Sequence, residues 1–331
     1  MRPPSIPLHA LRLDSLPPRH DNKAMCSQEI PPGHRSGFVA LAGRPNVGKS
    51  TLVNRLLGQP IAAVSPRPQM TRRRQLGILT LPEAQIIFVD TPGLHHPLHK
   101  LGEYMNAEAL ETLRDADLIL AVFDLGRSPN REDEQVAEHV RDLAGSIPAL
   151  AVHNKIDLVP ADRLEARRQA FLALLPDIPA LAVSATRGDG MQELLPAIIE
   201  RLPEGPRYYS EDTITDTFER DLAADLIRAA ALEHLRNEVP HCIAVRIDEY
   251  KERNSHGAYI EATLFVERES QKGIVIGKGG EMLKRIGTWA RREIETLTGR
   301  KVFLQLRVKV LPGWRNNEQT LKRFGFRPSG A

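Results

Sequence analysis

Eight residues, from Gly43 to Ser50, have the types and the spacing of a loop that binds phosphate groups. They read G-x-x-x-x-G-K-S and lie between an apolar run (38–42) and a helical pattern (51–57). The glycines let backbone N–H groups turn inward, where a helix N-terminus adds its positive end. Lys49 can then reach the β- and γ-phosphates, and the Ser50 hydroxyl can ligate Mg²⁺. The predicted phosphate-binding residues are Gly43, Asn46, Val47, Gly48, Lys49, Ser50 and Thr51.

The sequence Asn154-Lys155-Ile156-Asp157 follows a second apolar run (149–152) and indicates which base is bound. A carboxylate at Asp157 can accept hydrogen bonds from N1–H and N2–H₂ of guanine, and adenine has no donor at either place. We expect Asn154 to face the N7/O6 side and the stem of Lys155 to lie along the ring. Ser184 and Ala185, after the apolar run 181–183, would offer backbone N–H groups to the base oxygen. The predicted nucleotides are therefore GTP and its product GDP.

A third motif, Asp90-Thr91-Pro92-Gly93, closes the apolar run 86–89. An Asp at the end of such a strand is placed to hold Mg²⁺, and the Gly93 N–H can bond the γ-phosphate. Thr71 is the expected further magnesium ligand, although a Thr in a polar loop can also be a plain turn residue. The predicted catalytic residues are Lys49, Thr71, Asp90 and Gly93, the metal ligands are Ser50, Thr71 and Asp90, and the nucleotide contacts include Thr91, Pro92 and Leu94.

Leu94 stands where some GTPases carry a Gln that orients the attacking water. Leucine cannot do this, so the sequence predicts slow intrinsic turnover with the water positioned by another group. Asn46 is a candidate ligand for K⁺ against the phosphates. An equally good interpretation is that its side chain caps the backbone of its own loop.

The C-terminal part changes pattern after a Pro- and Gly-rich stretch, which we interpret as a linker at 204–215. A helix (216–237), two strands (243–247 and 259–266), two helices around G-K-G-G and a last strand (302–308) predict the order α-β-β-α-α-β. This is a type II K-homology module, whose G-x-x-G loop clamps about four nucleotides of RNA. The predicted RNA-binding residues are Gly277, Lys278, Gly279, Gly280, Lys284 and Arg285.

Charge is concentrated at the same end of the chain. From Lys272 onward there are 14 Lys and Arg against 4 Asp and Glu, a net of +10, whereas the whole chain of 331 residues carries +3. A basic region beside a G-x-x-G loop is typical of nucleic-acid binding. The other interpretation is a solvated basic helix face.

The predicted fold is an α/β P-loop G-domain, Ras-like, with a mostly parallel sheet and helices on both faces, followed by an α+β type II K-homology domain. The domain bounds are a disordered extension (1–36), the G-domain (37–203), the linker (204–215), the K-homology domain (216–311) and a basic C-terminal tail (312–331). For residues 1–36 we favour a flexible tail or a start codon placed too early, with Met25 as the other start; a targeting segment is less consistent with the acidic residues there.

Composition points to a protein of the cytoplasm. Of its two cysteines, Cys26 lies in the N-terminal extension and Cys242 in a predicted strand, so we expect no disulfide or metal framework. No run approaches the ~20 apolar residues of a membrane span. The neighbouring residues His95, His96 and His99 invite a metal interpretation, which we disfavour because no Cys or acidic partner accompanies them.

These motifs together resemble the Era family of ribosome-assembly GTPases, over residues 37 to about 325. The resemblance rests on G-R-P-N-V-G-K-S, D-T-P-G-L, N-K-I-D and V-I-G-K-G-G. It implies GTP hydrolysis coupled to binding of 16S ribosomal RNA near its 3′ end, in maturation of the 30S subunit. It further implies K⁺ use through Asn46. We expect a monomer; peripheral contact with the inner face of the cell membrane stays open. The chain departs from the family at Met70, where a Thr is common.

Two other function classes compete with this interpretation. A catalytic Cys in the G-domain or a second phosphate loop would favour a GTPase of tRNA modification or a tandem-domain ribosome factor, and the sequence has neither. A purely RNA-binding protein with a nucleotide-locked G-domain would show no turnover, which a GTPase assay with and without RNA would reveal.

Overall fold

The computed structural model describes residues 31–59, 61, 70–254 and 257–326. Its first half alternates strands and helices, because each short apolar strand is followed by a segment with helical periodicity. The elements are β1 (Arg35–Ala42), α1 (Lys49–Leu57), β2 (Gln75–Thr80), β3 (Ala84–Asp90), α2 (Lys100–Arg114), β4 (Leu118–Asp124), α3 (Arg131–Ala144), β5 (Ala149–Asn154), α4 (Ala161–Leu172), β6 (Ala180–Ala182) and α5 (Met191–Arg201).

The six strands form one sheet in the order β2-β3-β1-β4-β5-β6. Only β2 runs antiparallel to its neighbour; the others pair in parallel. Helices α1 and α5 pack on one face, and α2, α3 and α4 pack on the other. The predicted mostly parallel sheet with helices on both faces is thus confirmed. Because the carboxyl ends of β1, β3, β4 and β5 meet at one edge, the loops after them surround a single site.

The second half has the predicted order α-β-β-α-α-β. Its elements are α6 (Glu219–His234), β7 (Ala244–Asn254), β8 (Gly257–Val266), α7 (Glu269–Ile276), α8 (Glu281–Thr298) and β9 (Lys301–Val310). The strands form a sheet in the order β7-β8-β9, in which β7–β8 is antiparallel and β8–β9 is parallel. This is the K-homology (KH) topology, with one apolar core between the sheet and helices α6 and α8.

The chain after β9 is folded, which corrects the expectation of a basic tail from residue 312. A 3-10 turn (Trp314–Asn316) and α9 (Glu318–Arg323) follow the last strand. Trp314 is fully buried, and it packs with Leu321 and Phe324 against Leu101 of α2. The apolar residues here are few and spaced among charges, so they give no periodic signal in the sequence. Residues 327–331 of the predicted tail and 1–30 of the predicted extension lie outside the described residues.

Among the described residues, no helix has both the length and the apolar character needed to cross a membrane.

Candidate nucleotide and RNA sites

The phosphate loop joins the end of β1 to the start of α1, as the sequence predicts, and its glycines are required by close packing. A Cβ on Gly43 would lie 2.6 Å from the Val122 carbonyl oxygen. Gly48 has φ of +100°, and a Cβ there would lie 2.4 Å from Nδ2 of Asn154. Asn46 also adopts a positive φ of 64°. The loop is therefore held in its curled form by the protein's own contacts.

Lys49 extends across this curl. Its Nζ donates to the carbonyl oxygens of Gly43 at 3.0 Å and Arg44 at 3.3 Å, and the residue is buried. Burial lowers the pKa of Lys49 to about 8; the Asp90 carboxylate opposes this, and the Arg44 cation adds to it. The Lys49 ammonium group is thus desolvated at the loop, where phosphate oxygens could bind it and stabilise its charge.

The three predicted magnesium ligands lie together. Ser50 Oγ donates to Asp90 Oδ2 at 2.6 Å, Thr71 Oγ1 donates to the same oxygen at 3.1 Å, and the two hydroxyls are 3.1 Å apart. Asp90 Oδ1 is buried and has no hydrogen-bond partner among the described residues. Burial raises the pKa of Asp90, and Lys49 opposes that rise. A hard cation would satisfy the unpaired oxygen, and two hydroxyls with one carboxylate suit Mg²⁺.

The segment after Asp90 lies against the phosphate loop. A Cβ on Gly93 would be 2.5 Å from the backbone nitrogen of Pro45, so only glycine fits there. The Leu94 N–H donates to the Gly43 carbonyl at 3.1 Å, and its side chain is buried in the core beneath α2. Thr91 bonds back to the Leu41 carbonyl at 2.6 Å. Leu94 therefore serves packing, which agrees with its inability to orient a water molecule.

The base-recognition segments are tied to one another. The Asn154 amide donates to the Val47 carbonyl at 2.8 Å and accepts from the Ala185 N–H at 3.0 Å. The Ser184 N–H donates to the Asp189 carbonyl, whereas its hydroxyl donates to Asp157 Oδ1 at 2.6 Å. The expectation that the Asn154 amide and the 184–185 N–H groups face the base stays a prediction; in the structure these groups bond protein atoms. A buried amide must satisfy its own hydrogen bonds, and here it does so by joining two loops.

Lys155 reaches across the phosphate loop, a contact that the sequence did not predict, and the expectation that its stem lies along the guanine ring stays a prediction. With φ of 65°, it places Nζ 2.6 Å from the Asn46 carbonyl oxygen and 2.9 Å from Asp124 Oδ2. Asp124 ends β4 at the same edge of the sheet. An acidic residue at the end of an apolar run is visible in the sequence, and it could have indicated this contact.

A buried ion pair supports the loop from below. Arg44 Nε donates to Asp133 Oδ1 at 3.0 Å, and Asp133 also closes the N-terminal capping box of α3 with Asn130. Burial raises the pKa of Asp133, and the Arg44 cation opposes that rise. The pair joins residues far apart in the chain, so no local pattern in the sequence predicts it.

The G-x-x-G loop forms a 3-10 turn between α7 and α8, with φ of +74° at Gly277, +61° at Gly279 and +83° at Gly280. A Cβ on Gly277 would meet Met282 at 2.7 Å, whereas nothing lies within 4 Å of one on Gly279 or Gly280. The open side of the loop is therefore accessible to a ligand.

Beside this loop is a groove of about 380 Å³. Of the two helix residues predicted to bind RNA, Lys284 lines this groove and Arg285 is exposed outside it; their RNA contact stays a prediction. Arg291 lines it one helical repeat further on, and Leu304 and Leu306 of β9 form its floor. The lining residues that the sequence analysis missed are Leu283, Gly287, Thr288, Arg291, Leu304 and Leu306.

A P-loop domain with an N-K-x-D motif, joined to a KH module, defines a two-domain guanine-nucleotide-binding protein. Residues 38–155 match the family model described as 50S ribosome-binding GTPase, and residues 238–315 match the KH domain model. The chain is 42% identical over 294 residues to GTPase Era of Ruminiclostridium cellulolyticum, covering 89% of this chain and 98% of the relative. It is 47% identical over 285 residues to GTPase Era of Thermotoga maritima, covering 86% and 94%.

Solved structures agree. Era in complex with MgGDPNP and nucleotides 1506–1542 of 16S ribosomal RNA is 40% identical with a TM-score of 0.84, over 88% of this chain and 99% of that one. A variant of Aquifex aeolicus Era bound to GDP·AlF₄⁻ is 40% identical with a TM-score of 0.83, over 88% and 99%.

The chain belongs to the Era family of GTPases, and it is a GTP-hydrolysing enzyme.

Proposed function

We propose that this protein binds Mg²⁺-GTP at the residues 43–50, hydrolyses it to GDP and phosphate, and binds 16S ribosomal RNA near its 3′ end during 30S subunit assembly. The observation that carries the proposal is the buried Asp90 carboxylate beside the desolvated Lys49. Its Oδ2 accepts from the Ser50 and Thr71 hydroxyls, and its Oδ1 has no hydrogen-bond partner among the described residues. The carboxylate and hydroxyl oxygens can ligate a cation, and the Lys49 ammonium group can bind an anion. Mg²⁺ bound to a triphosphate supplies both.

The residues would divide the work as follows. Lys49 and the backbone N–H groups of the loop hold the phosphates, and Gly93 contacts the γ-phosphate. Ser50, Thr71 and Asp90 hold Mg²⁺, which neutralises charge on the phosphate oxygens. Asp157, oriented by the Ser184 hydroxyl, accepts the guanine N–H groups. Because Leu94 is buried, intrinsic turnover is slow, and Asn46 holds a K⁺ ion that assists hydrolysis.

The RNA half of the proposal is supported by the relative that was solved with a 16S fragment and by the KH groove. Gly279 and Gly280 leave room for a sugar–phosphate backbone, and Lys278 supplies a cation beside it. The groove floor of Leu304 and Leu306 offers apolar contact to bases, while Lys284 and Arg291 offer charge.

The test is GTP turnover with and without an RNA of the 16S 3′ end, in KCl and in NaCl. Lys49→Ala should abolish hydrolysis, because the γ-phosphate loses its main side-chain cation. Arg163→Ala, an exposed change on α4, is the control and should match wild type. Turnover by Lys49→Ala at the wild-type rate would contradict the site, and equal rates in both salts would contradict the K⁺ proposal.

We further propose that the protein is a cytoplasmic monomer, which light scattering and cell fractionation would test. Peripheral contact with the inner face of the membrane is supported only by the basic C-terminal part. Co-sedimentation with anionic vesicles that is absent with neutral vesicles would favour it.

A further inference from the structure

The segment from Met70 to Arg72 belongs to the G-domain by sequence, yet it contacts both domains. Thr71 bonds Ser50 and Asp90 in the proposed magnesium site. The residues on either side of it contact the KH domain instead. Met70 is buried in the apolar core of that domain, where Ile227 and Ile243 also lie. One magnesium ligand is therefore flanked by two residues that the other domain holds.

Arg72 is the more specific of the two anchors. Its Nη1 donates to the Ile243 carbonyl at 2.7 Å, and its Nη2 donates to the His241 carbonyl at 3.0 Å. The carbonyl between them, of Cys242, accepts from Nε1 of Trp314 at 2.8 Å. Three successive carbonyls at the entrance to β7 are thus capped by one arginine and one tryptophan.

The same two side chains also contact each other. The Arg72 guanidinium lies 5.7 Å from the centre of the Trp314 ring, and Arg72 is only 5% exposed. Trp314 itself packs with Leu101 at the start of α2. The Arg72 contacts therefore exist only where the KH domain, the C-terminal segment and the G-domain meet.

Burial makes this placement depend on the domain contact. The Arg72 guanidinium is removed from water, and it is held by the His241 and Ile243 carbonyls and the face of the Trp314 ring. All three groups belong to the KH domain or to the C-terminal segment, so the G-domain alone does not supply them.

We propose that the KH domain holds Thr71 in the magnesium site through Arg72, assisted by Met70, so that Arg72 is a positioning residue for GTP hydrolysis. This rests on the proposed function, in which Thr71 ligates Mg²⁺. The Arg72 side chain is directed to the KH domain and the C-terminal segment, and not to Ser50 or Asp90. It fixes the backbone next to Thr71, and the hydroxyl is thereby kept beside Asp90.

Arg73 supplies a matched control within the same segment. Its guanidinium lies 5.2 Å from the Phe326 ring, so it also bridges the domains, but it is exposed and caps no carbonyl of the β7 entrance. If interdomain packing in general supported turnover, Arg72→Ala and Arg73→Ala would have similar effects. If Arg72 acts as proposed, only the first has a large effect.

The experiment uses the full chain and measures kcat and KM for GTP, GDP affinity and the Mg²⁺ concentration for half-maximal rate. Arg72→Ala should lower kcat about tenfold or more while KM for GTP and GDP affinity stay within about twofold, since Thr71 is needed for the transition state more than for binding. The half-maximal Mg²⁺ concentration should rise. Arg72→Lys should recover part of the rate, because an ammonium group can still donate to one carbonyl. Arg73→Ala should remain near wild type.

Thr71→Ala, measured in parallel, separates the two proposals. Low kcat in both Thr71→Ala and Arg72→Ala supports the positioning role. A slow Thr71→Ala beside an Arg72→Ala that turns over at the wild-type rate overturns the positioning role and leaves the magnesium site standing. A wild-type rate in Thr71→Ala overturns the ligand assignment and the positioning role together. Equal losses of GTP and GDP affinity in Arg72→Ala, with a lowered melting temperature, would show a purely structural arginine and also overturn the proposal.

Discussion

The two glycine-rich loops of this protein look alike in sequence and differ in what their glycines are for. In the phosphate loop, Cβ atoms on Gly43 and Gly48 would come within 2.6 and 2.4 Å of other protein atoms. In the G-x-x-G loop, the corresponding space at Gly279 and Gly280 is open, and only the positive φ favours glycine. The first loop is shaped by the protein around it, whereas the second is a self-contained turn that leaves room for a ligand. Substitutions at Gly43 or Gly48 should therefore destabilise the fold more than substitutions at Gly279 or Gly280, where only the positive φ opposes a side chain.

The largest effect is expected in the part of the nucleotide site that recognises guanine. Asp157→Asn should weaken GTP binding about a thousandfold and favour xanthine nucleotides, because the amide NH₂ can donate to the 2-oxo group of xanthine but opposes the 2-amino donor of guanine. Competition between GTP and XTP for a fluorescent nucleotide measures the change. Ser184→Ala, which removes only the hydroxyl that orients Asp157, should weaken GTP binding far less. Unchanged GTP affinity in Asp157→Asn would contradict the guanine assignment.

Gly48→Ala tests the comparison of the two loops directly. A methyl group there would displace the Asn154 amide and break its bond to Val47, so we expect nucleotide binding to fall about a hundredfold and the free energy of unfolding to fall by about 2 kcal/mol. Gly279→Ala, with a similar positive φ but open space, should cost about 1 kcal/mol and leave GTP binding intact. Thermal denaturation and nucleotide titration of both variants measure the difference; equal destabilisation would show that the loops are not distinct.

The double change Lys278→Asp and Gly279→Asp places two carboxylates where phosphates must approach. RNA binding should fall about thirtyfold or more, through repulsion together with the added side chain. GTP affinity and RNA-free turnover should not change, since the loop lies in the KH domain and contributes no residue to the proposed nucleotide site. Filter retention of the 16S 3′-end RNA measures binding, and circular dichroism checks folding. Retained RNA affinity in the folded double variant would place the RNA site elsewhere.

The smallest effect follows from the pKa of Lys49, which is lowered to about 8 in the nucleotide-free protein. Between pH 7 and 9 the free protein loses this proton, and phosphate binding must restore it, so GTP affinity should fall about tenfold over this range. Stability of the nucleotide-free protein should rise over the interval between pH 8 and the unfolded pKa, because only the unfolded chain then keeps the proton. Lys49→Arg, which keeps its charge, should show a flat profile.

The sequence predicted both domains, their element order and the principal motifs, because these are local patterns. Thr71, for instance, was placed at the magnesium site by its position between two motifs, and the structure puts its hydroxyl 3.1 Å from Asp90. What the sequence could not show are pairings between distant segments. Asn154 joins the phosphate loop to Ala185, and Arg44 reaches Asp133; each depends on where strands end in space. The folded segment around Trp314 was missed for the same reason, since its apolar partners lie on α2 and β8.

The linker after α5 sets how far the two domains can move apart. Tyr208 and Tyr209 N–H groups donate to Oε1 of Gln85, the Ile214 carbonyl accepts from the Ile78 N–H, and the Thr215 hydroxyl donates to the Leu76 carbonyl. These hydrogen bonds hold the linker along strands β2 and β3. Only residues 216–218 separate the last of these bonds from α6. Three extended residues span about 11 Å at most. The linker therefore keeps the KH domain at a high effective concentration beside the G-domain. The two domains can move further apart only after these linker hydrogen bonds break.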